Sequence, residues 1–224
     1  AWLCLAGAAL GGTSSAQTPP NAPDTLILDA IYDPVSRLDF NGAPATDLRW
    51  IDDSTYLQTR RVDGRVEWRV VDAVSGQTSA LFDPSRMEAA LAAMPGVSPE
   101  TAAARNWAND LVLNPSRTGA LVTLDDDLYH YDFTENAAAR LTTTPGLEEE
   151  ATFSPNGRLV AFVRAHDLYV VGVDTRTEVA LTADGSPELL NGILDWLYQE
   201  EIYGRGRFRG YWWSPDSTRV AFLQ

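Results

Sequence analysis

Two adjacent glutamates stand out in this sequence as a pair of carboxylates that could bind a charged ligand. Glu200 and Glu201 lie in the segment Asp-Trp-Leu-Tyr-Gln-Glu-Glu-Ile-Tyr, which runs from Asp195 to Tyr203. Adjacent like charges disfavour each other's ionised form, and a cation placed between them relieves the repulsion. The α-ammonium of a peptide is such a cation, because it offers several N–H donors and ordinarily has a pKa of about 7.7–8.0. The pair therefore predicts a site for a small cation that is rich in hydrogen-bond donors.

Both glutamates can bind one cation only if a structural element directs their side chains toward it. Asp195 is a suitable N-cap for a short helical turn, because its side chain can accept a backbone N–H at the start of the turn. Successive residues on a helix point about 100° apart, so Glu200 and Glu201 could approach one cation from two sides. The alternative interpretation is a solvated acidic patch, which is what an isolated Glu-Glu pair would indicate.

The surrounding sequence resembles that of a known family. The segment Asp195–Glu201 lies shortly before Tyr211-Trp-Trp-Ser-Pro-Asp216. This arrangement is similar to the Asp-Trp-Val-Tyr-Glu-Glu-Glu segment, followed by an aromatic-Ser-Pro turn, of dipeptidyl peptidase IV-type serine peptidases in the prolyl oligopeptidase superfamily. In that family two glutamates hold the free N-terminus of the substrate, and the match assigns these roles to Glu200 and Glu201. Gln199 stands where the family has its first, less critical glutamate.

The resemblance implies a secreted enzyme that releases N-terminal dipeptides, expected to be Xaa-Pro or Xaa-Ala. It implies an eight-bladed propeller joined to a C-terminal α/β-hydrolase domain of the same chain, a peptide substrate with a free N-terminus, no cofactor and, since the family often dimerises, a homodimer of the full protein. An arginine from an earlier blade contacts the substrate carbonyl in the family. No motif identifies that arginine here, and Arg117 is the candidate.

The chain repeats itself with an offset of 40 residues, which independently predicts a propeller. Three pairs of markers keep this offset: Pro115 and Pro155 in their turns, Asp127-Leu-Tyr and Asp167-Leu-Tyr, and Leu141-Thr and Leu181-Thr. Four short strands in about 40 residues are typical of a propeller blade. The run Leu159–Val163 reads as a strand buried on both faces, with Asp167–Val171 as its hairpin partner. We therefore predict an all-β fold, a partial β-propeller of about three blades and the start of another.

Two departures from the repeat are informative. From Pro155 to Pro215 the spacing is 60 residues, so about 20 residues are inserted, and the glutamates lie in this insertion. Loops built on a rigid scaffold commonly carry binding function.

Farther upstream, Ser85 and Glu88 form a capping-box pattern, and Pro95-Gly96 would end the helix. This pattern predicts a short surface helix inserted between outer strands.

Composition excludes some functions and suggests a location. The 224 residues carry a formal net charge of −14, and all 17 basic residues are arginine, which argues against nucleic acid or an anionic membrane as a partner. Residues 1–16 resemble a truncated signal peptide, which contains the single cysteine, Cys4. This apolar run is shorter than the ~20 residues of a membrane span, so a secreted or periplasmic protein is predicted. Residues 17–45 are interpreted as a linker and lead-in segment and residues 46–224 as propeller.

Other chemistry is missing from this sequence. There is no Gly-x-Ser-x-Gly motif, and the only histidines, His130 and His166, are interpreted as packing or surface residues, so no Ser-His-Asp triad can be assembled. No cluster has metal-ligand spacing, and Asp125–Asp127 is interpreted as a solvated turn. The stretch Gly204–Gly210 is interpreted as a mobile loop whose arginines offset the glutamates. Because the chain stops within a strand pattern at Gln224, we expect a fragment truncated at both ends.

A second hypothesis belongs to a different class. A non-catalytic exported propeller that binds peptides or proteins, like that of TolB-type translocation proteins, shares the aromatic-Ser-Pro-Asp/Asn-Gly turn. The repeat alone therefore cannot separate the two hypotheses. The segment Asp195–Glu201 and the insertion that carries it favour the peptidase.

Overall fold

The computed structural model describes residues 48–62, 65–104 and 111–224, together with Tyr32. The predicted signal peptide of residues 1–16 with Cys4, and the linker and lead-in segment of residues 17–45 apart from Tyr32, lie outside the described residues.

The described residues form four antiparallel sheets that follow one another along the chain, and within each sheet consecutive strands are neighbours. The first sheet contains β1 (Leu48–Trp50), β2 (Thr55–Val62), β3 (Arg65–Asp72) and β4 (Thr78–Ala80). The second contains β5 (Val112–Leu113), β6 (Gly119–Leu124), β7 (Asp127–Asp132) and β8 (Ala137–Arg140). The third contains β9 (Glu149–Phe153), β10 (Leu159–Arg164), β11 (Asp167–Gly172) and β12 (Glu178–Ala180), and the fourth begins with β13 (Tyr211–Trp213) and β14 (Val220–Phe222).

The hydrophobic core lies between successive sheets, as it does between propeller blades. Strand β10 shows why, because alternate side chains of a strand point to opposite faces. Val160 and Phe162 pack into the cluster shared with the second sheet, whereas Ala161 and Val163 pack against Tyr211 of the fourth sheet. All four residues are fully buried. The predicted strand buried on both faces, its pairing with β11 and the partial propeller of three blades and the start of another are thus confirmed.

The repeat markers owe their spacing to equivalent hydrogen bonds. The hydroxyl of Thr142 accepts the backbone N–H of Leu128 at 2.8 Å. Forty residues later the hydroxyl of Thr182 accepts the backbone N–H of Leu168 at 2.9 Å. In each sheet the threonine follows the fourth strand and reaches back to the start of the third strand. The threonine of the Leu-Thr marker therefore joins the segment after the fourth strand of a blade to the third strand.

The predicted helix exists, but its start and its surroundings differ from the prediction. Helix α1 spans Pro84–Ala92, with Asp83 as the N-cap that accepts the backbone N–H of Ser85 at 2.9 Å. The Ser85–Glu88 capping box was wrong because proline, which needs no hydrogen-bonding partner for its nitrogen, occupies the first helical position. A second helix, α2 (Pro99–Ala104), follows.

Helix α1 is also more than a surface feature. Its residues Met87 and Leu91 are fully buried in the cluster that joins the first and second sheets. The interpretation as a surface helix was therefore wrong for one face. The helix contributes that face to the core between two blades, where it packs with Phe82 and Tyr131.

Candidate functional site

The insertion of about 20 residues predicted from the repeat lies within the connection from β12 to β13, residues 181–210, which we call the insertion loop. Its two ends come together in a narrow base. Ile193 and Arg209 form an isolated antiparallel bridge, and the backbone N–H of Gly210 donates to the carbonyl of Gly192 at 2.9 Å. Residues 195–207 therefore project from a closed base, and the rest of the loop lies between this base and β12.

Asn191, which the sequence analysis did not single out, fastens this base to the third sheet. Its side chain is fully buried and donates to the carboxylates of Asp167 at 3.2 Å and Asp184 at 3.0 Å. Its backbone N–H donates to the carbonyl of His166 at 2.9 Å. The dipeptide Asn191-Gly192 is a turn signal in the sequence, and Gly192 has a φ of +77° that favours glycine.

The glutamates lie on a short helical turn in the part of the insertion loop that extends beyond the base. We call residues 195–203, which contain this turn, the glutamate segment. Asp195 accepts the backbone N–H of Tyr198 at 2.8 Å, so the predicted cap is confirmed. The turn itself is π-helical over Tyr198–Ile202, and Tyr203 donates its N–H to the carbonyl of Tyr198 at 2.9 Å. Single π-helical turns are rare and are frequently found at functional sites.

Glu200 already holds a cation. Its carboxylate Oε1 lies 2.5 Å from Nη2 of Arg205, and its side chain is 32% exposed. Glu201 is exposed next to it on the same turn. The interpretation that arginines of the loop offset the glutamates thus holds for Arg205. The carboxylate of Glu200 is able to bind a planar, donor-rich cation, and the position of Glu201 leaves it open to solvent.

Gln199 organises the loop that carries this arginine. Its side-chain oxygen accepts the backbone N–H of Gly206 at 2.8 Å. Gly204 and Gly206 have φ values of +96° and +82°, a region that glycine enters without steric cost. At the position where the resemblance expects a further glutamate, this chain therefore has a residue that shapes the neighbouring turn.

Apolar side chains surround the carboxylates. Trp196 and Ile202 are exposed, and the ring of Tyr203 lies 6.3 Å from that of Trp212. A cleft of about 400 Å³ borders the start of the glutamate segment and is lined in part by Tyr198. The glutamate segment therefore combines two carboxylates with apolar surface, which is a suitable arrangement for binding the first residues of a peptide.

The structure does not bring Arg117 to the glutamates. Arg117 lies in the turn between β5 and β6, with a φ of +59°. Turns of this kind, between the first and second strands, share one edge of the blades, since the N–H of Asn156 donates to the hydroxyl of Ser217 at 3.0 Å across two neighbouring sheets. The insertion loop contacts the opposite edge through His166, which is in the turn between β10 and β11.

The structure shows where three other residues named from the sequence lie and what they contact. His130 lies in β7 with its ring 5.9 Å from that of Phe153, and burial lowers its pKa. His166 adopts a φ of +70° in its turn. Asp127 is buried in β7 and paired with Arg140, so the interpretation of a solvated turn was wrong for this aspartate. Its neighbours Asp125 and Asp126 are exposed as expected.

The described residues contain neither a candidate metal site nor a candidate membrane span. No group of three or more His, Cys, Asp or Glu side chains in that part of the chain has an arrangement that could hold a metal ion. Within the same ranges no helix is both long and apolar enough to cross a membrane.

Comparisons by sequence and by structure both find similarity to dipeptidyl peptidases. Residues 121–224 match the family model described as the dipeptidyl peptidase IV N-terminal region. The chain is 43% identical over 74 residues to a probable dipeptidyl-aminopeptidase B of Talaromyces stipitatus, covering 33% of this chain and 8% of the relative. It is 45% identical over 74 residues to a probable dipeptidyl peptidase 4 of Aspergillus clavatus, covering 33% of this chain and 9% of the relative.

Among solved structures, the fold is similar to that of dipeptidyl peptidase 4 from Porphyromonas gingivalis. The TM-score is 0.60 at 26% sequence identity, and the match covers 90% of this chain and 28% of the other. The matched part is less than a tenth of the length of the two curated relatives and less than a third of the solved chain.

Proposed function

We propose that this chain, whose residues 121–224 match the dipeptidyl peptidase IV N-terminal region, is the substrate-binding propeller portion of a serine-type dipeptidyl peptidase. In this proposal Glu200 and Glu201 hold the α-ammonium of a peptide with a free N-terminus. The observation that carries it is the pairing of Glu200 with a guanidinium at 2.5 Å. A carboxylate on this turn already binds a cation with several donors.

The rigid base of the insertion loop gives the glutamates their role. Gly192 and Gly210 join the two ends of the base, and Asn191 fixes it to the third sheet through hydrogen bonds to Asp167 and His166. An ammonium bound at the glutamates would stand at a constant distance from a serine nucleophile in a hydrolase domain of the same protein. Two extended residues span at most about 7 Å, so a fixed anchor selects the bond after the second residue. The binding energy is then used for positioning.

The released dipeptide is expected to be Xaa-Pro or Xaa-Ala, and the enzyme is expected to be secreted or periplasmic and to form a homodimer. In this proposal Arg117 is not a ligand of the ammonium, and it stays the sequence candidate for the contact to the substrate carbonyl.

The test is substitution of each glutamate in the full-length protein. Charge-assisted hydrogen bonds contribute about 1.5–3 kcal/mol each, so Glu200→Ala and Glu201→Ala should lower kcat/KM for a free-amine dipeptidyl substrate about 10- to 100-fold. Glu200→Gln and Glu201→Gln keep the shape and remove the charge, and they should lose nearly as much. Glu100→Ala, at an exposed glutamate of helix α2 outside the insertion loop, is the matched control and should change kcat/KM less than twofold.

A second arm tests the ligand. Acetylation of the substrate's N-terminus removes the ammonium and should reduce cleavage by the unmodified enzyme at least as much as either alanine substitution. If the glutamate variants cleave the free-amine substrate within twofold of the unmodified enzyme, or if acetylated and free substrates are cleaved equally well, the glutamates do not bind the ammonium.

A further inference from the structure

Arg205 occupies Glu200 from within the same loop. Its Nη2 atom lies 2.5 Å from the Glu200 carboxylate, while its side chain as a whole is 83% exposed. A side chain that exposed makes few packing contacts, so the ion pair with Glu200 is what gives the guanidinium its position. Ion pairs between exposed groups are weak, with a median near 0–1 kcal/mol. A competing cation can therefore displace this one.

The backbone around Arg205 leaves room for such a displacement. No heavy atom lies within 4 Å of the position that a Cβ would take at Gly204 or Gly206, and both glycines have positive φ values. The hydrogen bond from Gly206 to Gln199 at 2.8 Å holds the turn at one point beyond the arginine. Arg205 can leave Glu200 by side-chain rotation while this hydrogen bond keeps the turn in place.

We propose that Arg205 is an internal competitor for the carboxylate of Glu200, and that it sets the affinity of the site for a peptide N-terminus. The inference rests on the proposed function. A guanidinium and an ammonium at the same carboxylate repel each other, so the peptide binds best after Arg205 has moved away. Binding is then an exchange of one cation for another at Glu200.

The size of the effect follows from the strength of the pair. Apparent affinity is reduced by the fraction of molecules in which the site is free. For an exposed pair of ordinary strength, loss of the competitor should tighten binding about two- to fivefold.

The exchange of cations also affects the salt dependence of peptide binding. Salt weakens both the departing and the arriving ion pair, so the salt dependence of peptide binding should be shallow with Arg205 present and steeper without it.

The experiment measures binding to the full-length protein by calorimetry, with a non-cleavable dipeptide mimic that has a free amine, at low and moderate salt. Arg205→Ala should lower Kd about two- to fivefold and steepen its salt dependence. Arg205→Lys keeps a competing cation and should stay near the unmodified protein. Arg207→Ala is the matched control, because Arg207 is exposed two positions away and its loss changes the net charge equally.

Three results would overturn the inference. If Arg205→Ala and Arg207→Ala give the same Kd and the same salt dependence, Arg205 does not compete for the carboxylate. If Arg205→Ala weakens binding, the arginine is a ligand for the peptide. In both cases Glu200→Ala would still weaken binding, and the proposed function would stand. If Glu200→Ala and Glu201→Ala bind the mimic as well as the unmodified protein, the proposed function fails and the inference fails with it.

Discussion

The guanidinium of Arg164 donates a hydrogen bond of 3.1 Å to a carboxylate of Glu148 that is completely buried. The same guanidinium also pairs with Glu178 on its other side. Arg164 ends β10, Glu148 directly precedes β9, and Glu178 begins β12. The cluster thus ties together the two outermost strands of the third sheet, the blade from which the insertion loop departs.

Removal of the arginine should destabilise the protein strongly. At pH 8, above the pKa of about 7 that burial gives Glu148, Arg164→Met leaves the buried, ionised Glu148 without its cation, which typically costs about 3–5 kcal/mol. Arg86→Met is the matched control, because Arg86 and Asp83 form an exposed pair at 3.6 Å and such pairs are worth at most about 1 kcal/mol. The loss of unfolding free energy in each variant is measured by urea unfolding of the full-length protein, from the transition in which the propeller unfolds. Equal losses would mean that Glu148 tolerates the missing charge.

The pH dependence of stability should report the protonation of Glu148. Burial raises the pKa of this glutamate from 4.5 to about 7, although Arg164 opposes the increase. Between these two values the folded state holds the proton and the unfolded state releases it. The stability that Glu148 contributes is therefore complete below about pH 4.5 and is lost as the pH rises through about 7, by up to about 3 kcal/mol.

Glu148→Gln, which cannot ionise, should remove this part of the pH dependence. Thermal midpoints measured between pH 5 and pH 8 should fall less steeply for the variant than for the unmodified protein. Glu188→Gln, at an exposed position of the insertion loop, should leave the slope unchanged. A Glu148→Gln variant with the original slope would show that another group is responsible.

The cap of the glutamate segment should matter for binding more than for stability. Asp195→Ala leaves the N–H of Tyr198 without its acceptor, which costs about 1 kcal/mol of local helix stability. Since this turn is exposed, the loss should appear as about a fivefold weaker affinity for a free-amine dipeptide mimic, with unchanged urea unfolding. Asp195→Asn keeps a capping oxygen and should bind almost normally. The prediction fails if the alanine variant binds as tightly as the asparagine variant.

Tyr211 should stabilise the contact between the third and fourth sheets. Its hydroxyl donates to the carbonyl of Ala161 at 2.8 Å and lies 2.9 Å from the hydroxyl of Thr152, in surroundings so buried that its pKa is raised. Tyr211→Phe removes these hydrogen bonds from buried surroundings and should cost about 1–3 kcal/mol. Tyr203→Phe, at a tyrosine that is 38% exposed, should cost less than about 0.5 kcal/mol. Similar urea midpoints for the two variants would contradict this role.

The features that depend on neighbouring residues could be predicted from the sequence. Strand alternation along Leu159–Val163, the turn chemistry of the Ser-Pro motif, the 40-residue period and the cap at Asp195 are all local, because each is decided by groups a few bonds apart. These features were sufficient to predict the blades, the insertion between the third and fourth sheets, and the element that carries Glu200 and Glu201.

Contacts between residues far apart in the chain became visible only in the folded structure. The sequence showed an inserted helix but not that Met87 and Leu91 fill the space between two blades, and it showed an aspartate turn but not that Asp127 is buried against Arg140. It offered Arg117 as the candidate for the contact to the substrate carbonyl. It predicted that arginines of the Gly204–Gly210 stretch offset the glutamates, but not that Arg205 is the one that pairs with Glu200. The physical reason is that burial and ion pairing depend on contacts between residues far apart in the chain, and chain spacing alone does not specify the edge or face on which a side chain emerges.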